Sequence, residues 1–120
     1  MLTIRNAQMT VFVNGSRREL EARLATHVTR HFPQSAQPQA PDALQARVAQ
    51  ALDRALEHGF SARDDVFSFV SLAFALGPHF DRDPALPWVT PHLRSGQRPE
   101  VRMANLCAAA IDYLKTLPAA

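Results

Sequence analysis

The sequence has a single cysteine, a single tryptophan and a net charge of only +2 over 120 residues. With Cys107 alone, no internal disulfide can form. No stretch approaches the ~20 consecutive apolar residues that a membrane span needs. The opening MLTIRNAQ shows no basic segment followed by an apolar core, so no secretory signal is read there and a cytoplasmic protein is expected. Thirteen cations against eleven anions give a weak basic lean. Lys115 is the one lysine, and arginine, the better fork for carboxylates at interfaces, supplies the other positive charges.

Familiar chemical constellations are also missing. His27 and His31 have the i, i+4 spacing that binds zinc from one helix face, but no Glu follows His27 and no third ligand accompanies them. Asp81 and Asp83 form a D-x-D pair without the third oxygen donor and glycine of a calcium loop. His79 beside Asp81 could make an acid/base pair, yet no nucleophile or substrate pocket goes with it. Cys107 lies among alanines and reads as core. No catalytic residue, metal or cofactor is therefore expected. The segment LEHGFSARDDV has the outline of a helix-turn-helix, but its second helix would offer aspartates and phenylalanines where a DNA groove needs polar and basic side chains.

What is present is apolar patterning. Hydrophobic residues make up 47%, too many for a disordered chain. A chain of this length buries roughly two-thirds of its unfolded surface, and one domain over 1–120 is expected. The densest apolar run begins after Ser61, a good N-cap, with Asp64 and Asp65 where the helix dipole favours negative charge. Val66, Phe67, Phe69, Val70, Leu72, Ala73, Phe74 and Leu76 follow, broken only by Ser68 and Ser71. A helix apolar nearly all round belongs inside. Gly77 suits its C-terminal turn, and Pro78 prevents continuation. Next comes a Pro-punctuated elbow, His79–Trp88, in which Asp83-Pro84 opens a short helical turn. Phe80, Leu86 and Trp88 are its anchors. Asp81 and Asp83 either cap turns or form an acidic pair for a cation or a basic partner.

The other segments are helical as well. Met9, Phe12, Val13, Ser16, Leu20, Leu24, Val28 and Phe32 step mostly by threes and fours. Asn14-Gly15 is either a weak point in one long helix or a break between two. Pro33–Pro41 reads as an exposed connector of mixed extended conformation. Asp42 would then cap a helix carrying Leu44, Val48, Ala51, Leu52, Ala55 and Leu56, closed by Gly59, with Arg47, Asp53, Arg54 and Glu57 outside. Thr90–Gln97 reads as loop. Pro99 and Glu100 open a last helix, with Met103, Leu106, Cys107, Ala110, Leu114 and Leu117 as its buried stripe. The expectation is an all-α bundle of four main helices plus a short turn, the third central.

The run Phe74–Trp88, with GPHFDRDPALPW, resembles a motif of small bacterial helical proteins associated with type VI secretion, found beside PAAR-repeat, VgrG and Rhs-type components. Its signature positions would be Gly77, Phe80, Asp81, Asp83, Pro84 and Trp88. TIRNAQMTVF near the start and His31-Phe32-Pro33 extend the likeness. The resemblance implies a non-enzymatic adaptor, chaperone or co-chaperone that binds an effector or spike protein. On that view His79, Phe80, Asp81, Arg82, Asp83 and Trp88 are the partner-binding residues, with no specific nucleic acid and no membrane involved. Phe80 and Trp88 could equally seal the end of the bundle. An immunity-type inhibitor, whose acidic elbow occludes a toxin's basic cleft, is the alternative, and a helical DNA-binding or regulatory protein is a further one.

Overall fold

The computed structural model describes the backbone of residues 2–36 and 40–117, and the side chains of 17–34 and 40–117. These residues form an all-α fold with six helices and one 3-10 turn: α1 (Leu2–His31), α2 (Pro33–Ala36), α3 (Pro41–Glu57), α4 (Arg63–Leu76), η1 (Phe80–Arg82), α5 (Val89–Arg94) and α6 (Pro99–Thr116). The chain divides into two compact units, residues 1–50 and 51–120. The division falls inside α3, where the sequence shows no change of composition.

In the first unit α1 runs unbroken through Asn14-Gly15. One glycine costs a helix about 1 kcal/mol, which a 30-residue helix tolerates. The side chains of Met9, Phe12, Val13 and Ser16 lie outside the described residues. Leu24 and Val28 have no exposed surface, and neither has Val48 of α3; Leu20 and Phe32 are half-buried. Arg17 Nε donates to Glu21 Oε2 at 2.8 Å, one turn along α1. The expected extended connector is partly helix. Pro33 occupies the first position of α2, where its missing N–H is no loss; residues 37–39 lie outside the described residues. Asp42 is not a cap. Pro41 is the first residue of α3, which places Asp42 inside the first turn.

The second unit is built around α4. From Asp65 to Leu76 none of its residues is exposed. Ser71, a polar residue on this apolar rod, donates its hydroxyl to Phe67 O at 2.8 Å, which satisfies it within its own helix. Ser61 is not the N-cap. The chain stays extended one residue longer, and Ala62 accepts the first helical bond from Val66 N–H at 2.9 Å. Phe69 and Phe74 are buried, but Phe67 sits half-exposed at the edge, under the Arg63 guanidinium at 5.4 Å.

α4 packs against α6 and η1, and α5 against both η1 and α6. The loop expected at Thr90–Gln97 is mostly α5. Its Val89 and Leu93, one turn apart, are both buried, and that shared apolar face stabilises a helix too short to stand on propensity alone. α6 starts at Pro99 as expected.

The junction between α3 and α4 is set by Gly59. Its N–H bonds Leu56 O at 3.0 Å, and Phe60 N–H bonds Ala55 O at 2.9 Å. This is the paired bonding of a Schellman turn, and it holds Gly59 at φ +88°. A β-carbon there would also meet Arg102 Nη2 at 3.3 Å. Gly59→Ala should therefore destabilise the protein by about 1–2 kcal/mol, the cost of a left-handed L-residue. A urea unfolding midpoint equal to that of the parent would refute this strain.

Candidate functional site

The largest side-chain network described lies within residues 51–117. At the end of α3, Arg54 and His58 lie one turn apart on one face. Both reach the same oxygen of Asp81. Arg54 Nη2 donates to Oδ2, and His58 Nε2 lies 2.9 Å from it. The Asp81 side chain is 1% exposed, that of Arg54 12% and that of His58 28%, so the carboxylate is interior and its partners lead outward. Burial acts to raise the Asp81 pKa. The hydrogen bonds and positive charge of Arg54 and His58 outweigh it and hold the carboxyl below its ordinary range. Oδ1 of Asp81 and Nε of Arg54 are buried without a hydrogen-bond partner.

An aromatic column seats this lock. Phe69 of α4 lies 5.0 Å from Phe80, 5.9 Å from Phe60 and 5.7 Å from the His58 ring, measured between centroids. Phe60, Phe69 and Phe80 are each 1% exposed or less. Arg102 of α6 closes one side. Its Nη1 donates to His58 O at 3.2 Å and Leu93 O at 2.8 Å, while its guanidinium lies 4.8 Å over Phe60. One arginine thus caps the ends of α3 and α5, where helix carbonyls lack partners.

The six elbow residues therefore separate. Phe80 and Asp81 are inside. His79 and Arg82 are exposed, and Asp83 and Trp88 are half-buried. Asp83 Oδ1 accepts from Ala85 N–H at 2.8 Å, a turn-capping role, and Asp83-Pro84 makes a turn rather than a helix. The Trp88 ring lies 5.3 Å from Tyr113 of α6, and its Nε1 is buried without an acceptor. His79 does not pair with Asp81, whose carboxylate points to His58 instead.

Two other clusters were open to chemistry. The His27 and His31 rings meet at a tilt of 48°, with centroids 4.5 Å apart. Burial, then the charges of His31 and Arg30, lower the His27 pKa. Among the described residues no group of three His, Cys, Asp or Glu is placed to hold a metal. Cys107 is half-buried with Sγ 3.6 Å from Met103 Sδ, and burial pushes its thiol pKa up, away from the thiolate that a nucleophile needs. Nearby, burial first, then Glu100 and Asp64, raise the pKa of Asp65.

The remaining feature is the outer face of α6. Leu114 and Leu117, expected in its buried stripe, are 39% and 46% exposed, Ile111 is 54% exposed and Val101 36%. Among the residues whose side chains are described, these four are all of the exposed large hydrophobics. Val101, Ala104, Ala108 and Ile111 step by three, four and three, the spacing of one helix face, and both alanines are exposed.

Spacing alone puts Arg54 outside its helix and singles out neither Arg102 nor Ile111. Ile111 had a signal, an isoleucine outside the buried stripe. Arg102 had none, because both its acceptors are backbone atoms.

Comparison with family models, with curated proteins and with solved structures finds no match to this chain.

Proposed function

We propose that this chain is a non-enzymatic accessory protein that binds another protein, acting as an adaptor or chaperone for an effector or spike component of a bacterial type VI secretion system, in the cytoplasm. The secretion context comes from the resemblance of Phe74–Trp88. The observation that carries protein binding is the outer face of α6. Large apolar side chains exposed on one helix, with small residues between them, mark a docking surface. No helix among the described residues is long and apolar enough to cross a membrane, so a bilayer span does not account for that face. The inhibitor alternative drew its support from an acidic elbow. With Asp81 inside, only Asp83 is left at that surface.

The test is co-expression with the PAAR, VgrG and Rhs-type proteins of the same cell, followed by affinity purification. One of them should co-purify with the wild-type chain. Ile111→Asp should weaken that complex by about 30-fold, the equivalent of a ~2 kcal/mol hot spot, with the circular dichroism unchanged because Ile111 is exposed. Recovery of none of these proteins, or equal recovery with the variant, would overturn the reading.

A further inference from the structure

The elbow shows a different charge at its surface from the one written in its sequence. Asp81 is taken inside by Arg54 and His58. Asp83, the other carboxylate between Gly77 and Gln97, is half-buried and tied into its own turn. His79, Arg82 and Arg94 are exposed on the same stretch. Arg98 is closed on Glu100 at 2.6 Å, but no carboxylate among the described residues pairs with Arg82 or Arg94. η1 ends in Arg82 and packs against α5, which ends in Arg94, so both cations belong to one small substructure.

The same stretch is rich in proline, which stiffens it. Pro78, Pro84, Pro87 and Pro91 are all exposed, and Trp88 is half-exposed beside them. Prolines lose little conformational freedom on binding, and tryptophan and arginine are the side chains that most often dominate interface energetics. We propose that the face Gly77–Arg94 docks an acidic, apolar-bearing segment of a protein partner. Charge complementarity selects the acidic segment. Two unpaired arginines on proline-rich ground suit a few carboxylates better than the run of phosphates that a nucleic acid presents. The proposal rests on the protein-binding reading above and names the partner's chemistry at a second surface.

Trp88, the chain's only tryptophan, reports on this face by fluorescence. The probes are a synthetic peptide alternating Glu and Leu, the same peptide with Lys for Glu, and oligothymidylate. The Glu peptide should give a saturable change that weakens with added salt. Arg82→Glu with Arg94→Glu should weaken it at least ~10-fold. Arg18→Glu with Arg23→Glu, at exposed positions on α1, should leave it unchanged. No saturable change, an equal loss in the α1 pair, or tighter binding of the Lys peptide or of oligothymidylate would overturn the proposal. If it fails while α6-dependent co-purification survives, only the elbow surface is lost. If co-purification fails as well, the protein-binding reading falls with it.

Discussion

Asp81→Ala should lower the unfolding free energy by about 3–5 kcal/mol, because removing one partner of a buried ion pair leaves the other charge without compensation. The stranded charge is Arg54, whose side chain is 12% exposed. Against a net stability of roughly 5–15 kcal/mol for a domain, that loss melts much of the population on mild heating. The wild type should show the same dependence on acid. The Asp81 pKa is depressed in the folded state. Its contribution is therefore fully present above the ordinary carboxylate value, near ~3.9, and is lost as pH falls through the lower, folded value. Urea unfolding from neutral to acid pH should show the difference between wild type and Asp81→Ala shrinking at the acid end. A difference below about 1 kcal/mol at neutral pH would mean that Asp81 is not the interior ion described above.

Phe69→Ala should cost about 3–5 kcal/mol, the usual range for truncating a fully buried phenylalanine. Phe69 is 1% exposed and touches three other rings, from α3's end, the junction and η1. Its loss should loosen the elbow as well as the core, so Trp88 should become more accessible to acrylamide quenching. Phe67→Ala, two residues away on the half-exposed edge of α4, should cost clearly less. Equal costs at 67 and 69 would place both rings in the same environment and contradict the packing.

The two residues also show how far the sequence could be read. Local information was enough for the long helices. The three-and-four spacing gave the long segments, Gly59 and Gly77 closed two of them, and Pro99 opened the last. Density of apolar residues identified α4 as internal. It did not resolve which face of α4 is shielded, so Phe67 and Phe69 looked alike. Boundaries moved where two neighbouring residues could serve, as with Ser61 and Ala62 or Pro41 and Asp42. α5 was missed because six residues carry too little periodicity to register, and its stability comes from Val89 and Leu93 meeting a surface supplied elsewhere in the chain.

The site was harder to read, because its contacts are distant in sequence. Asp81 lies 27 residues from Arg54 and 23 from His58. A D-x-D pair read locally looks acidic, and only the fold shows that one member is neutralised inside while the other caps a turn. The same limit applies to Arg102, which reaches His58 O across 44 residues. The exposed face of α6 was obscured for the opposite reason. Leu114 and Leu117 extend the buried stripe by the helix repeat, yet both are exposed, and Leu117 lies just past the end of α6.

A double-mutant cycle between Arg54 and Asp81 is the most direct measurement of whether this carboxylate serves the fold. Arg54→Met, Asp81→Leu and the double variant would be unfolded in urea at neutral pH. Each single change should be strongly destabilising and the double variant far less so, since well-packed apolar replacements of a buried pair are often neutral or stabilising. The coupling should exceed about 2 kcal/mol. Additive losses, with the double variant as weak as the sum of the singles, would show that the two charges do not meet inside the protein and would return Asp81 to the surface.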